Sequence, residues 1–301
     1  MDATAPELIE YCARDGARAS LRAYRADHAA APVVICLPAM GVKGAFYTDL
    51  ALALRQGGVH AVLSDLRGVD TSSVRASRAC DFGYDQVLRL DLPALTEKVH
   101  ECFPASRRWL LGHSLGGQLS ALYLSVQPEA ADGLILIAAC NVHHKGWSGL
   151  MRWRVLGTTL LFRSLGTLLG YVPAGRFGFA GNEARTMVRD WSNNCLTGRY
   201  EIVNGTHDYE RSLRQLTKPV LAISFELDRL APRASVENLL RKLENAPVTR
   251  RHFAPDATGL EKASHFNWAK RPQVVVQTIQ AWMHRGQVLD PAPTTLCAQD
   301  R

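Results

Sequence analysis

Apolar residues along this chain alternate between short continuous runs and longer stretches with helical spacing. Pro32 to Pro38 (PVVICLP) is nearly all apolar and rich in β-branched residues. His60 to Asp65, Trp109 to Gly112, Gly133 to Ala139 and Pro219 to Ser224 repeat the pattern. Such runs predict strands buried on both faces, as in a parallel sheet covered by helices. Between them, Tyr47 to Gly57 carries Leu50, Leu52 and Leu54, and Asp85 to Phe103 carries Leu88, Leu92, Leu95 and Val99. Leu115 to Gln127 carries Leu119, Leu122 and Leu124. These are helix spacings. The succession predicts an α/β fold with a doubly wound, mostly parallel sheet and right-handed crossovers. Near the N-terminus, two alternating stretches flank Asp15-Gly16, which predicts an antiparallel hairpin at the sheet edge.

The rhythm breaks between Asn141 and Thr217. Aromatic residues gather there (Trp147, Trp153, Phe162, Tyr171, Phe177, Trp191, Tyr200), along with several arginines. Residues 141–217 are therefore predicted to form a helical insertion, with 1–140 and 218–286 as the core. The stretch 287–301 has no period and is expected to be a frayed, disordered tail. Val155 to Tyr171 is apolar but interrupted by Arg163 and by glycines. It predicts a lid helix over an apolar pocket, not stable membrane insertion.

Composition narrows the class. The 301 residues are 47% hydrophobic and 21% charged, which excludes a disordered or disulfide-scaffold protein. The net charge of +7 comes without long basic runs, so no nucleic-acid partner is expected. Seven cysteines without a C-x-x-C pair argue for free thiols in a reducing compartment. The first residues lack an apolar signal region, so a cytoplasmic location is expected.

The chemistry centres on Gly112-His113-Ser114-Leu115-Gly116, which lies between a strand-like run and a helical one. In that setting G-x-S-x-G is a nucleophile elbow, a strained turn that projects the serine hydroxyl and needs glycine where side chains would collide. A serine needs a base, and the base needs an orienting acid. Asp228 follows the strand-like run 219–224 and is the candidate acid, with Glu226 as rival. His265 lies between the last predicted strand (249–253) and the final helix (273–284), and is the candidate base. His252 falls within that strand and reads as structural. His143, His144 and His207 lack metal-ligand spacing, so neither a metal nor another cofactor is expected. The backbone N–H groups of Leu115 and Met40 are the candidate oxyanion donors. Trp147, Trp153 and Phe162 are the candidate pocket residues.

Gly-His-Ser-Leu-Gly-Gly, Asp65-Leu-Arg-Gly68, Asp228 with Pro232, and Ser264-His-Phe-Asn-Trp268 together resemble the α/β-hydrolase superfamily from about Leu37 to Met283. The stretch Pro38-Ala-Met-Gly-Val42 followed by Tyr47 resembles a bacterial subgroup of predicted hydrolases. Two departures stand out: the family usually has His-Gly at Pro38-Ala39, and often glycine at Asp70. The resemblance implies that residues 141–217 are the cap that roofs the site. It also implies hydrolysis through an acyl-enzyme on Ser114, with His265 acting first as base and then as acid. The expected substrate is a carboxylic ester or thioester, and the aromatic cap points to a mainly apolar acyl group. An acyltransferase on the same residues and a non-catalytic ligand-binding protein are the competing readings. Oligomeric state is left open.

Overall fold

The computed structural model describes residues 5–177, 181–255 and 264–288. An eight-stranded sheet has the order β1-β2-β4-β3-β5-β6-β9-β10. Strands β1 (Glu7–Cys12) and β2 (Arg18–Tyr24) form the expected hairpin, and β2 pairs antiparallel with β4 (His60–Leu63). The remaining pairings are parallel: β3 (Val33–Leu37), β5 (Arg108–His113), β6 (Gly133–Ile137), β9 (Val220–Phe225) and β10 (Val248–Phe253). Every position of β3, β4, β6 and β9 is buried, which is why those segments carry no polar alternation. The edge strand β10 is largely exposed and carries Arg250, Arg251 and His252.

Helix α1 (Thr48–Gln56) packs against α9 (Gln273–Val288), and Gln280 Nε2 donates to the Gly57 carbonyl. A second helical group begins with α2 (Tyr84–Gln86), passes through a π-helical turn (Val87–Asp91) and continues as α3 (Leu92–Cys102). The π-helical turn shifts the phase of an otherwise regular apolar stripe, and the sequence spacing gives no sign of it. Helix α4 (Leu115–Val126) is buried on all sides from Leu115 to Leu124, as the central helix behind the sheet. Helix α8 (Arg233–Leu240) packs beside β9.

The chain visits β3 and then β4 on one side, and afterwards β5 on the other side of β3. This reversal opens a crevice at the carboxyl ends of β3 and β5, where open α/β sheets place ligands. The register Leu37↔Gly112 sets the loop after β3 beside the turn after β5.

Between β6 and β9 the chain makes helix α5 (Gly149–Leu169), α6 (Arg185–Thr197) and α7 (Tyr209–Gln215). A two-stranded ribbon, β7 (Tyr171–Val172) with β8 (Glu183–Ala184), joins the first two helices. Strands of two residues leave no periodic signature, so nothing in the spacing marks the ribbon. The final helix extends to Val288, past the predicted end of the core at 286. The rest of the predicted tail, with Cys297, lies outside the described residues. The six described cysteines are free thiols.

Candidate active site

Ser114 sits between β5 and α4 with φ 53° and ψ −116°, a strained conformation that a non-glycine residue rarely adopts. The glycines around it are required by contact. A Cβ on Gly112 would lie 2.3 Å from the Gly117 Cα, and one on Gly116 would lie 2.3 Å from the Leu37 carbonyl oxygen. Gly117 is also constrained: a Cβ there would lie 2.4 Å from the Ala139 Cβ. This third glycine closes α4 onto β6, a packing role that G-x-S-x-G does not include.

Asp228 and His265 meet although 37 residues separate them: His265 Nδ1 donates to Asp228 Oδ2 at 2.8 Å. Asp228 is buried in the turn after β9, and its Oδ1 accepts the backbone N–H groups of Leu230 and Ala231, both at 2.8 Å. Three donors on one buried carboxylate fix its orientation. The Nδ1–H bond leaves His265 Nε2 as the lone-pair nitrogen of the neutral ring. Glu226 is exposed, so Asp228 alone fits the position of an acid. Ser114 and His265 line one cavity.

The loop after β3 is held by a chain of polar groups. The Ala39 N–H donates to Tyr47 Oη at 3.1 Å, so the Tyr47 hydroxyl proton goes to His113 Nδ1 at 2.6 Å. His113 is wholly buried, and desolvation holds its pKa well below the usual histidine value, with His265 adding a smaller push in the same direction. Its ring lies 4.9 Å from that of His265. A neutral His113 therefore adds no positive charge beside an imidazolium at 265. Asp65 braces the same loop from below. Its Oδ1 accepts the Gly44 N–H at 2.6 Å, and its Oδ2 meets Arg22 and the Thr71 hydroxyl. Asp70, where the superfamily often has glycine, takes φ 36° and is clamped by Arg22 and Lys43. A short polar residue tolerates that left-handed geometry.

Met40, Leu115, Ser114 and His265 share a cavity of about 440 Å³. The Leu115 N–H is the first of its helix and has no intrahelical acceptor by position. Trp147, Met151, Val155, Phe162, Val188 and Trp191 contribute to its apolar wall, and Arg154 lines it too. The predicted pocket residues thus divide. Trp147 and Phe162 line the cavity, whereas Trp153, nine residues before Phe162 on α5, points outward at 63% exposure. Helical phase separates it from Phe162, and aromatic content alone did not register that. Met151, Val155 and Trp191 were legible only once α5 and α6 had a phase.

The other histidines stand apart. His252 Nδ1 bonds the Ser224 hydroxyl within the sheet, as a strand residue should. His143 and His144 lie edge-on to each other in the stretch between β6 and α5. Among the described residues no group of His, Cys, Asp or Glu is arranged to hold a metal ion. Two buried acids lie in the insertion. Burial pushes the Glu183 carboxyl up to about 8, and it pushes Asp190 up to about 7 against the pull of N–H bonds from Val203 and Tyr84.

Residues 28–256 match the family described as serine aminopeptidase, S33. The pimeloyl-[acyl-carrier protein] methyl ester esterase of Aeromonas salmonicida is 26% identical over 261 residues, covering 83% of this chain and 94% of that protein. The monoglyceride lipase of Rattus norvegicus is 24% identical over 252 residues, covering 79% and 78%. Est1E from Butyrivibrio proteoclasticus, solved with ferulic acid, superposes with a TM-score of 0.63 at 13% identity over 92% of this chain and 99% of its own. Sheet order, elbow and family match converge: the chain is an enzyme of the α/β-hydrolase fold and belongs to the serine aminopeptidase S33 family.

Proposed function

We propose that the protein is a serine hydrolase that cleaves a carboxylic ester or thioester with a mainly apolar acyl group. The observation that carries the reading is the shared cavity: the Ser114 hydroxyl and the Asp228-bound His265 open into a space walled mostly by apolar side chains. In this reading His265 Nε2 takes the Ser114 proton as the hydroxyl oxygen attacks the carbonyl carbon. The tetrahedral oxyanion accepts bonds from the Leu115 and Met40 N–H groups. The proton then passes from His265 to the leaving group, the C–O or C–S bond breaks, and the acyl group remains on Ser114. Water, deprotonated by His265, then attacks the acyl carbon; the bond from that carbon to the Ser114 oxygen breaks, the proton returns from His265 to Ser114, and the acid leaves. Asp228 keeps Nδ1 protonated and compensates the imidazolium charge in both halves. The names of the two relatives, a methyl ester esterase and a monoglyceride lipase, support ester chemistry here.

The wall composition supports the acyl preference. A fully buried side chain of leucine size is worth about 1.5–3 kcal/mol, so each few methylenes of a fitting acyl chain changes transition-state binding measurably. The test combines a fluorophosphonate with a panel of acyl esters and thioesters graded in chain length. Expected is one adduct per chain, mapped to Ser114, and a kcat/KM that rises with chain length until the cavity is full. No adduct on intact protein, or flat kcat/KM across the panel, overturns the assignment.

A further inference from the structure

Helix α5 is apolar on two faces, and among the described residues only one of them is covered. Its inward face buries Thr159, Phe162 and Gly166 and rests on α6. Its outward face carries Leu150, Trp153, Leu160, Leu161 and Leu168, all exposed; Leu150 and Leu168 are 74% and 77% accessible. At about 100° per residue these five fall within an arc of roughly 100°, nearly opposite Phe162. Singly exposed leucines are ordinary, but a continuous stripe along a 21-residue helix is not. Outward tryptophan and leucine with flanking arginines are the marks of a helix that lies in a lipid interface.

Charge selects the occupant. Arg154 borders the stripe on one side, and Arg152 and Arg163 border it on the other. Between Asp132 and Glu183 the chain has no acidic residue and five basic ones, Lys145, Arg152, Arg154, Arg163 and Arg176. A second copy would bring an equally basic face against this one, whereas a sheet of acidic headgroups would complement it. Among the described residues no helix is long and apolar enough to cross a membrane, so the contact would be one of lying on the surface.

We propose that the outer face of α5 seats the protein on an anionic lipid bilayer, with the leucine and tryptophan side chains in the acyl boundary and the arginines among the headgroups. This contact is separate from the chemistry at Ser114, because the residues of the stripe do not line the cavity. The test is flotation of the full chain with vesicles of phosphatidylcholine alone or mixed equally with phosphatidylglycerol. Expected is at least tenfold more bound protein on the anionic vesicles, reduced at high salt. The double substitution Leu161→Glu with Leu168→Glu is expected to lower that binding at least tenfold. It should leave hydrolysis of a soluble short-chain ester unchanged, which also checks folding; Leu161→Ser with Leu168→Ser serves if the charged pair is unstable. Wild-type protein that stays unbound to both vesicles, or binds both equally, overturns the proposal. So does undiminished binding by the double variants, or a dimer in gel filtration that they dissociate, since a second copy would then cover the stripe. Absence of ester hydrolysis in the wild type would count against the proposed function and leave the lipid contact standing.

Discussion

The sheet and the excursion above it meet the same cavity from two sides and are consolidated to different degrees. Strands β3, β4, β6 and β9 are buried at every residue, and the turns that leave β3, β5 and β9 are held by glycine contacts and by bonds such as Asp228 to two backbone N–H groups. Helix α5, by contrast, buries three residues of twenty-one and leaves a leucine stripe in solvent. The insertion also holds two carboxyls whose burial works against their ionisation. In the proposed reading Ser114 and Asp228 stand on turns that leave strands, His265 is held by its bond to Asp228, and the wall that meets the rest of the substrate stands partly on a helix with few buried residues. Chemistry tolerates little displacement, whereas substrate choice needs only shape and apolar area.

The sharpest way to break this comparison is to remove a group from the sheet side. Ser114→Ala or His265→Ala is expected to lower kcat on an acyl ester by several orders of magnitude, about 10³–10⁶, with little change in KM. Asp228→Asn is expected to fall somewhat less, while Glu226→Gln stays near wild type in the same assay. Were Glu226→Gln inactive and Asp228→Asn active, the acid would be misassigned.

Tyr47→Phe comes next. It removes the hydroxyl that joins the Ala39 N–H to His113 without emptying the space. A loss of roughly tenfold in kcat at nearly constant KM is expected, from about 1–2 kcal/mol of lost positioning. A KM effect alone would mean that Tyr47 merely packs.

On the insertion side the expected effects are smaller and of a different kind. Phe162→Ala should raise KM for longer acyl chains several-fold and leave short-chain kcat near wild type. Trp153→Ala should do neither with a soluble substrate, because its ring faces outward. Equal effects of the two substitutions would erase the distinction between the faces of α5.

The smallest effect is on stability and carries a definite sign. Glu183 and Asp190 have folded-state values near 8 and 7, above those of an unfolded chain. The folded protein therefore binds the extra protons: this stabilisation is complete below about pH 4 and is lost as pH rises through 7 and 8. From pH 5 to 8.5 these groups should lower Tm, and Glu183→Gln should flatten that slope. A thermal-melt series that shows the same slope in both proteins removes Glu183 from the account.

Much of the core was legible because its signals are local. Continuous apolar runs marked β3, β4, β6 and β9, and the glycines around Ser114 marked the elbow. That Asp228 and His265 meet follows from chain order relative to the strands, because this fold fixes which loops come together. The relay Ala39–Tyr47–His113 was not legible: Tyr47 and His113 are 66 residues apart, and nothing in either one's neighbours says that they touch. The wall of the cavity was half legible for a related reason. Trp147 and Phe162 were named from aromatic content together with Trp153, but content does not give helical phase, and phase decides which side of α5 faces Ser114.

In the proposed chemistry Ser114 and His265 act as one unit, and the turnover of the two single alanine variants beside the double variant tests that most directly. If proton transfer and attack belong to a single step, Ser114→Ala with His265→Ala is no slower than either single variant, because the first loss already abolishes the route. A double variant slower than both by the product of their separate effects would mean that the two residues contribute independently, and the account would be wrong.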